Sequence, residues 1–129
     1  MSLRDYLDSF HRAVEKIDDY GFAKSIEIKE EIRAAKQAAI HAEIHLVDGS
    51  VLHVKVYADA KYRIEIISYA YQYQDADGQL IFRYDNARHK PELAFSDHKH
   101  LSDGSIVQSA MPNIADIVVE VIKYIAGIG

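Results

Sequence analysis

Residues 40–57 read IHAEIHLVDGSVLHVKVY, two alternating runs on either side of an Asp-Gly pair. Ile40, Ala42, Ile44 and Leu46 fall on one side of an extended chain, with His41, Glu43 and His45 on the other. After Asp48-Gly49 the alternation resumes, Leu52, Val54 and Val56 against His53, Lys55 and Tyr57. An Asp-Gly dipeptide between two such runs marks a tight hairpin, because glycine accepts the positive φ of the turn. The spacing predicts two antiparallel strands, each with one buried face and one open face.

The same period continues downstream. A third strand is expected from about residue 62 to 73, with Ile64, Ile66, Ser68 and Ala70 toward the core and Arg63, Glu65, Ile67, Tyr69, Tyr71 and Tyr73 opposite. The turn Asp75-Ala76-Asp77-Gly78 leads into a fourth strand carrying Leu80, Phe82 and Tyr84. Upstream, Ile26, Ile28 and Ile32 suggest a further strand from Ser25 that bends or bulges near Glu30 and Glu31. The ends of the chain have helical periodicity instead. Leu3, Leu7, Phe10, Val14 and Ile17 predict a helix over residues 2–18, capped by Ser2 and ended by Gly21. Ile114, Ile117, Val118, Val121, Ile122 and Ile125 predict another after Pro112. Some 25 residues of weak periodicity before that helix read as a long functional loop. The expected architecture is α+β: an antiparallel meander of four to five strands, with the N-terminal and C-terminal helices packed on one face.

Length and composition fit a single domain over residues 1–129. The absence of cysteine excludes disulfides and thiolate metal sites and agrees with a reducing, cytoplasmic setting. No run approaches the ~20 apolar residues that span a bilayer, so no membrane role is expected. A formal net charge of −5 argues against a protein that simply coats nucleic acid.

Two regions could carry chemistry. The less aliphatic sheet face is expected to gather His41, Glu43, His45, His53, Lys55, Tyr57, Tyr69, Tyr71, Tyr73 and Arg83. Such a face suits stacking on bases and pairing with phosphates, and it equally suits cross-strand packing or a protein partner. The second region, residues 83–100, reads RYDNARHKPELAFSDHKH. Arg83, Arg88, Lys90 and Lys99 outnumber Asp85, Glu92 and Asp97 there, and three histidines add charge as they protonate. One reading is metal-independent acid/base cleavage of RNA. His89, His98 and His100 would then move protons, Arg83, Lys99 and Arg88 would hold phosphate, and Tyr84 and Tyr71 would help to bind substrate. A second reading is a divalent-metal site built from the histidines with Asp97 or Glu92, although the neighbouring cations oppose it. A third is a structural or partner-binding loop, and Asp85-Asn86 reads most simply as a turn cap. His11 and Tyr124 are expected to pack in their helices.

The run Arg83-Tyr84-Asp85-Asn86-Ala87, then His89, Pro91-Glu92 and His98-Lys99-His100, resembles the TumE family of small prokaryotic proteins. The likeness extends through the strand pattern and the last helix, over roughly residues 25–125. The family's run is close to RYDNAPHHPE followed by HHKH. Here Arg88 replaces a proline, Lys90 a histidine and Asp97 another histidine, which lowers the histidine count that a metal reading needs. The resemblance implies the toxin half of a toxin–antitoxin pair, with a cognate antitoxin, often a helix-turn-helix protein, as partner. Many toxins of this size cleave RNA, so an endoribonuclease is the mechanism implied by analogy. The alternative is a non-catalytic module that binds a protein or nucleotide through the tyrosine-rich sheet face, alone or as a homo-oligomer.

Overall fold

A computed structural model describes residues 1–88 and 95–127. Helix α1 spans Leu3–Asp19 and helix α2 spans Ile114–Ala126. Among the described residues, seven strands run between them: β1 Ala23–Arg33, β2 Gln37–Leu46, β3 Val51–Asp59, β4 Glu65–Gln74, β5 Leu80–Asp85, β6 His98–Leu101 and β7 Ile106–Gln108. They form one sheet in sequence order, with every neighbouring pair antiparallel. The α+β class, both terminal helices and the meander are as expected. The expected four to five strands are corrected to seven, because β6 and β7 arise within the stretch read as a long loop. Each is too short for periodicity to reveal.

Both helices begin with a reciprocal cap, of which that at Ser2 is expected from the sequence. Ser2 Oγ accepts from the Asp5 N–H while the Asp5 carboxylate accepts from the Ser2 N–H, and Asn113 and Asp116 repeat the arrangement in α2. The stripes formed by Leu7, Phe10, Val14 and Ile17 and by Ile114, Ile117, Val118 and Val121 are buried in one cluster with a single face of the sheet. Ile40, Ile44 and Leu52 are fully buried there, as the hairpin alternation requires. Gly49, at φ +87°, closes that hairpin, and a Cβ at this position would lie 2.9 Å from the Ala76 Cβ. Among the described residues, no helix is long and apolar enough to cross a membrane.

The facing of β4 differs from the expectation. Tyr57 pairs with Ser68 and Ala58 with Ile66, so Ile67 is an extra residue that interrupts the register. Ile66 packs on the core as predicted, but beyond Ile67 the phase inverts and Tyr69, Tyr71 and Tyr73 turn inward, each no more than 4% exposed. A tyrosine-rich open face therefore does not form. The Tyr73 hydroxyl reaches Ser50 Oγ at 2.7 Å, and burial pushes its pKa up to about 12. Tyr73→Phe should cost about 1 kcal/mol in urea unfolding, since it removes this buried bond and little volume. In β1 the register slips between Ala23 and Ser25, not near Glu30 and Glu31. Tyr124 packs edge-on against Tyr73, as a packing residue should. His11, by contrast, pairs with Glu30 and remains partly exposed.

Candidate functional site

Strands β5 and β6 place the residues of interest on two opposite faces. Tyr84 pairs with Lys99, Arg83 with His100, and Asp85 with His98. Directly opposed residues share a face, and alternate residues change face. Tyr84 and Lys99 consequently point toward the helices. The Tyr84 hydroxyl donates to Glu120 Oε1 at 2.6 Å, and Lys99 Nζ donates to Glu120 Oε2 at 3.2 Å. The ammonium also lies 4.7 Å from the Tyr84 ring centroid. Burial opposes the charge of Lys99, but Tyr84 and Glu120 outweigh it and raise its pKa.

The other face carries Arg83, Asp85, His98 and His100. Asp85 is 2% exposed and lies at the centre of the group. Its Oδ2 accepts from Arg83 Nε at 2.7 Å and its Oδ1 from the Ala87 N–H at 2.9 Å. His98 Nε2 is 2.8 Å from Oδ1, and His100 Nε2 is 3.3 Å from Oδ2. Arg83 is held in turn by Gln72, whose Oε1 accepts from a terminal guanidinium nitrogen at 2.7 Å. Burial alone would raise the Asp85 pKa, but the Arg83 and Ala87 hydrogen bonds and the nearby His98 hold it below the ordinary carboxylate range.

His98 has no exposed surface, and its Nδ1 lies 2.7 Å from the Ser96 carbonyl oxygen. Both ring nitrogens thus face oxygen acceptors. His100 packs edge-on against His98 at 5.0 Å between centroids and keeps 20% of its side chain exposed. Arg83 is 36% exposed. These two are the members of the cluster that solvent reaches most readily. On the Arg83 and Asp85 side of the cluster a hollow of about 490 Å³ runs across the open face, bordered by Arg33, His41, Lys55, Arg83 and Asn86. Asp85, His98 and His100 also offer a ligand set, with their potential donor atoms all within 4.8 Å of one another.

Of the residues singled out in the sequence, Arg83, His98 and His100 converge as expected. Lys99 and Tyr84 lie on the opposite face, Tyr71 is buried in the core, and Arg88 is exposed after β5. His89 lies outside the described residues, as do Lys90 and Glu92. Asp97, one of the two carboxylates offered by the metal reading, accepts from the Tyr69 hydroxyl at 2.8 Å. Asn86, read as a turn cap, is instead a bridge to β4, accepting from the Tyr69 N–H and donating to the Ile67 carbonyl. Asp85 does cap the Ala87 N–H, but sequence reasoning missed its larger role. The available signal was its two-residue spacing from Arg83, which puts both on one strand face, with the same spacing in His98-Lys99-His100.

The family model described as Toxin TumE matches residues 11–128. No curated protein and no solved structure matches the chain.

Proposed function

The chain belongs to the TumE toxin family, and from that premise we propose that it arrests growth by cutting RNA at the cluster of Arg83, Asp85, His98 and His100. The observation that supports this most is the pairing of a half-exposed guanidinium with a partly exposed imidazole, both held by one buried carboxylate. Arg83 binds the phosphate and stabilises the charge that grows on its oxygens. His100 takes the proton of the 2′-hydroxyl as that oxygen attacks phosphorus. The bond to the 5′-oxygen breaks, and a second acid, for which His89 is the candidate, returns a proton to it. His98 is too enclosed to touch RNA, and its role in this scheme is to fix Asp85 and through it His100. Cyclic phosphate and 5′-hydroxyl ends result, with no metal in the cycle. The family implies a cognate antitoxin, in such pairs often a helix-turn-helix protein, as the partner in the cell.

A second reading rests on the spacing of the donor atoms. A divalent cation in place of the proton between His98 Nε2 and Asp85, with His100 as a third ligand, would make the cleavage metal-assisted. The bond from Nδ1 to the Ser96 carbonyl is the kind of support that aims a liganding imidazole. Elemental analysis of protein purified without an affinity tag separates the two. The metal-free scheme predicts less than about a tenth of an equivalent of any transition metal and cleavage that persists in chelator. Stoichiometric metal, with activity lost in chelator and restored by one cation, would favour the second reading.

A further inference from the structure

The two edges of the sheet are unlike. β7 ends one side with three residues, whereas β1 leaves an edge of 11 residues along the other. A long strand edge presents a row of backbone donors and acceptors that another strand can pair with. Protection by charge is usual on such edges, and here the charges are ordered. On the open face, opposite Glu43, His41, Ala39 and Gln37 of β2, the row reads Glu27, Lys29, Glu31, Arg33. These side chains are 62%, 77%, 66% and 50% exposed. On the helix side the row reads Ile26, Ile28, Glu30, Ile32, and Ile32 is 60% exposed, well away from the core.

We propose that β1 is a homodimer interface, pairing antiparallel with β1 of a second copy in the register that sets residue 30 against itself. In that register Glu27 faces Arg33 of the second copy, and Lys29 faces its Glu31. The two-fold axis repeats both pairs, so all four charged residues of each open-face row meet the opposite sign. On the helix side Ile28 meets Ile32 of the second copy, also twice, which covers the exposed isoleucine. The two Glu30 carboxylates approach at the axis, where each is already paired with His11 of its own chain. Shifting the register by two residues in one direction sets Glu27 against Glu31 and Lys29 against itself. Shifting it the other way sets Lys29 against Arg33 and Glu31 against itself. Charge therefore selects the first register over its neighbours. The two sheets would become one, with both open faces on the same side.

Equilibrium sedimentation of the full chain tests this without reference to RNA. Lys29→Glu and Glu31→Lys, taken singly, each turn two attractive cross-strand pairs into repulsive ones and should weaken the dimer by roughly tenfold or more. The double variant K29E/E31K restores opposite signs across the axis and should return to within about threefold of the native affinity. Circular dichroism checks that each variant is folded, and the double variant serves as a control for any effect of the single changes on the chain itself. A native chain that stays monomeric at about 100 μM, a dimer indifferent to both single changes, or a double variant as weak as the singles would each overturn the interface. So would recovery of β1 paired only with a different protein.

Discussion

Asp85→Ala is expected to cost about 3 to 5 kcal/mol of folding stability and to abolish growth inhibition. The side chain is nearly solvent-free and takes hydrogen bonds from Arg83 and the Ala87 N–H while also meeting His98. Its removal leaves the His98 ring buried with one nitrogen facing a vacated acceptor position and frees the guanidinium to turn away from His100. An isolated salt bridge on the surface would be worth far less, so the size of the loss tells a buried node from a surface pair. Urea unfolding of the variant, compared with the native chain at neutral pH, gives the number. The pH dependence has a defined sign. The Asp85 pKa is depressed in the folded state, so its contribution is fully present above its unfolded value of about 3.9 and is lost as pH falls through the folded value. The acid limb of native stability should consequently be steeper than that of the variant. Equal stability of the two chains would show that the cluster is not a structural node.

His100→Ala should remove activity while leaving the fold nearly intact. The ring keeps a fifth of its side chain exposed, and its contact with Asp85 is the longer of the two histidine contacts, so the expected loss of stability is within about 1 kcal/mol. Loss of a proton-transfer group lowers turnover by about a hundredfold or more, enough to permit growth when the variant is expressed without an antitoxin. His98→Ala should behave differently. It opens a cavity at a buried site and strips a partner from Asp85, so its loss of activity should come with a loss of stability. The comparison separates the histidine assigned to protons from the one assigned to position. Full toxicity of a folded His100→Ala chain would remove that imidazole from the chemistry.

Much of the fold was legible because the central strands obey a strict period of two. The alternation from Ile40 to Val56 carries through into burial residue by residue, and the Ser2 cap forms as expected. The failure at β4 has a single local cause. Aliphatic Ile64 and Ile66 set the phase, and one extra residue at Ile67 reversed it for the three tyrosines that follow. A bulge leaves no mark in hydrophobic periodicity, and tyrosine is at home on either face of a sheet. The strands β6 and β7 were hidden for another reason: four and three residues are too few to show a period.

The site was half legible. Alternation within His98-Lys99-His100 already sets Lys99 apart from the two histidines, but only the pairing of β5 with β6 shows which face holds Arg83. That pairing is a long-range contact, and neither strand states it alone. For the same reason Asp85 read as a turn residue: its cap on Ala87 is local, whereas its contacts with His98 and His100 cross to another strand.

The most direct test of the central claim is the chemistry of the cut ends. Purified chain incubated with single-stranded RNA in the presence of chelator is expected to give cyclic phosphate and 5′-hydroxyl termini, and His100→Ala protein is expected to leave the RNA whole. RNA left intact by native protein that still halts growth in cells, or the same cut ends produced by the His100→Ala chain, would contradict it.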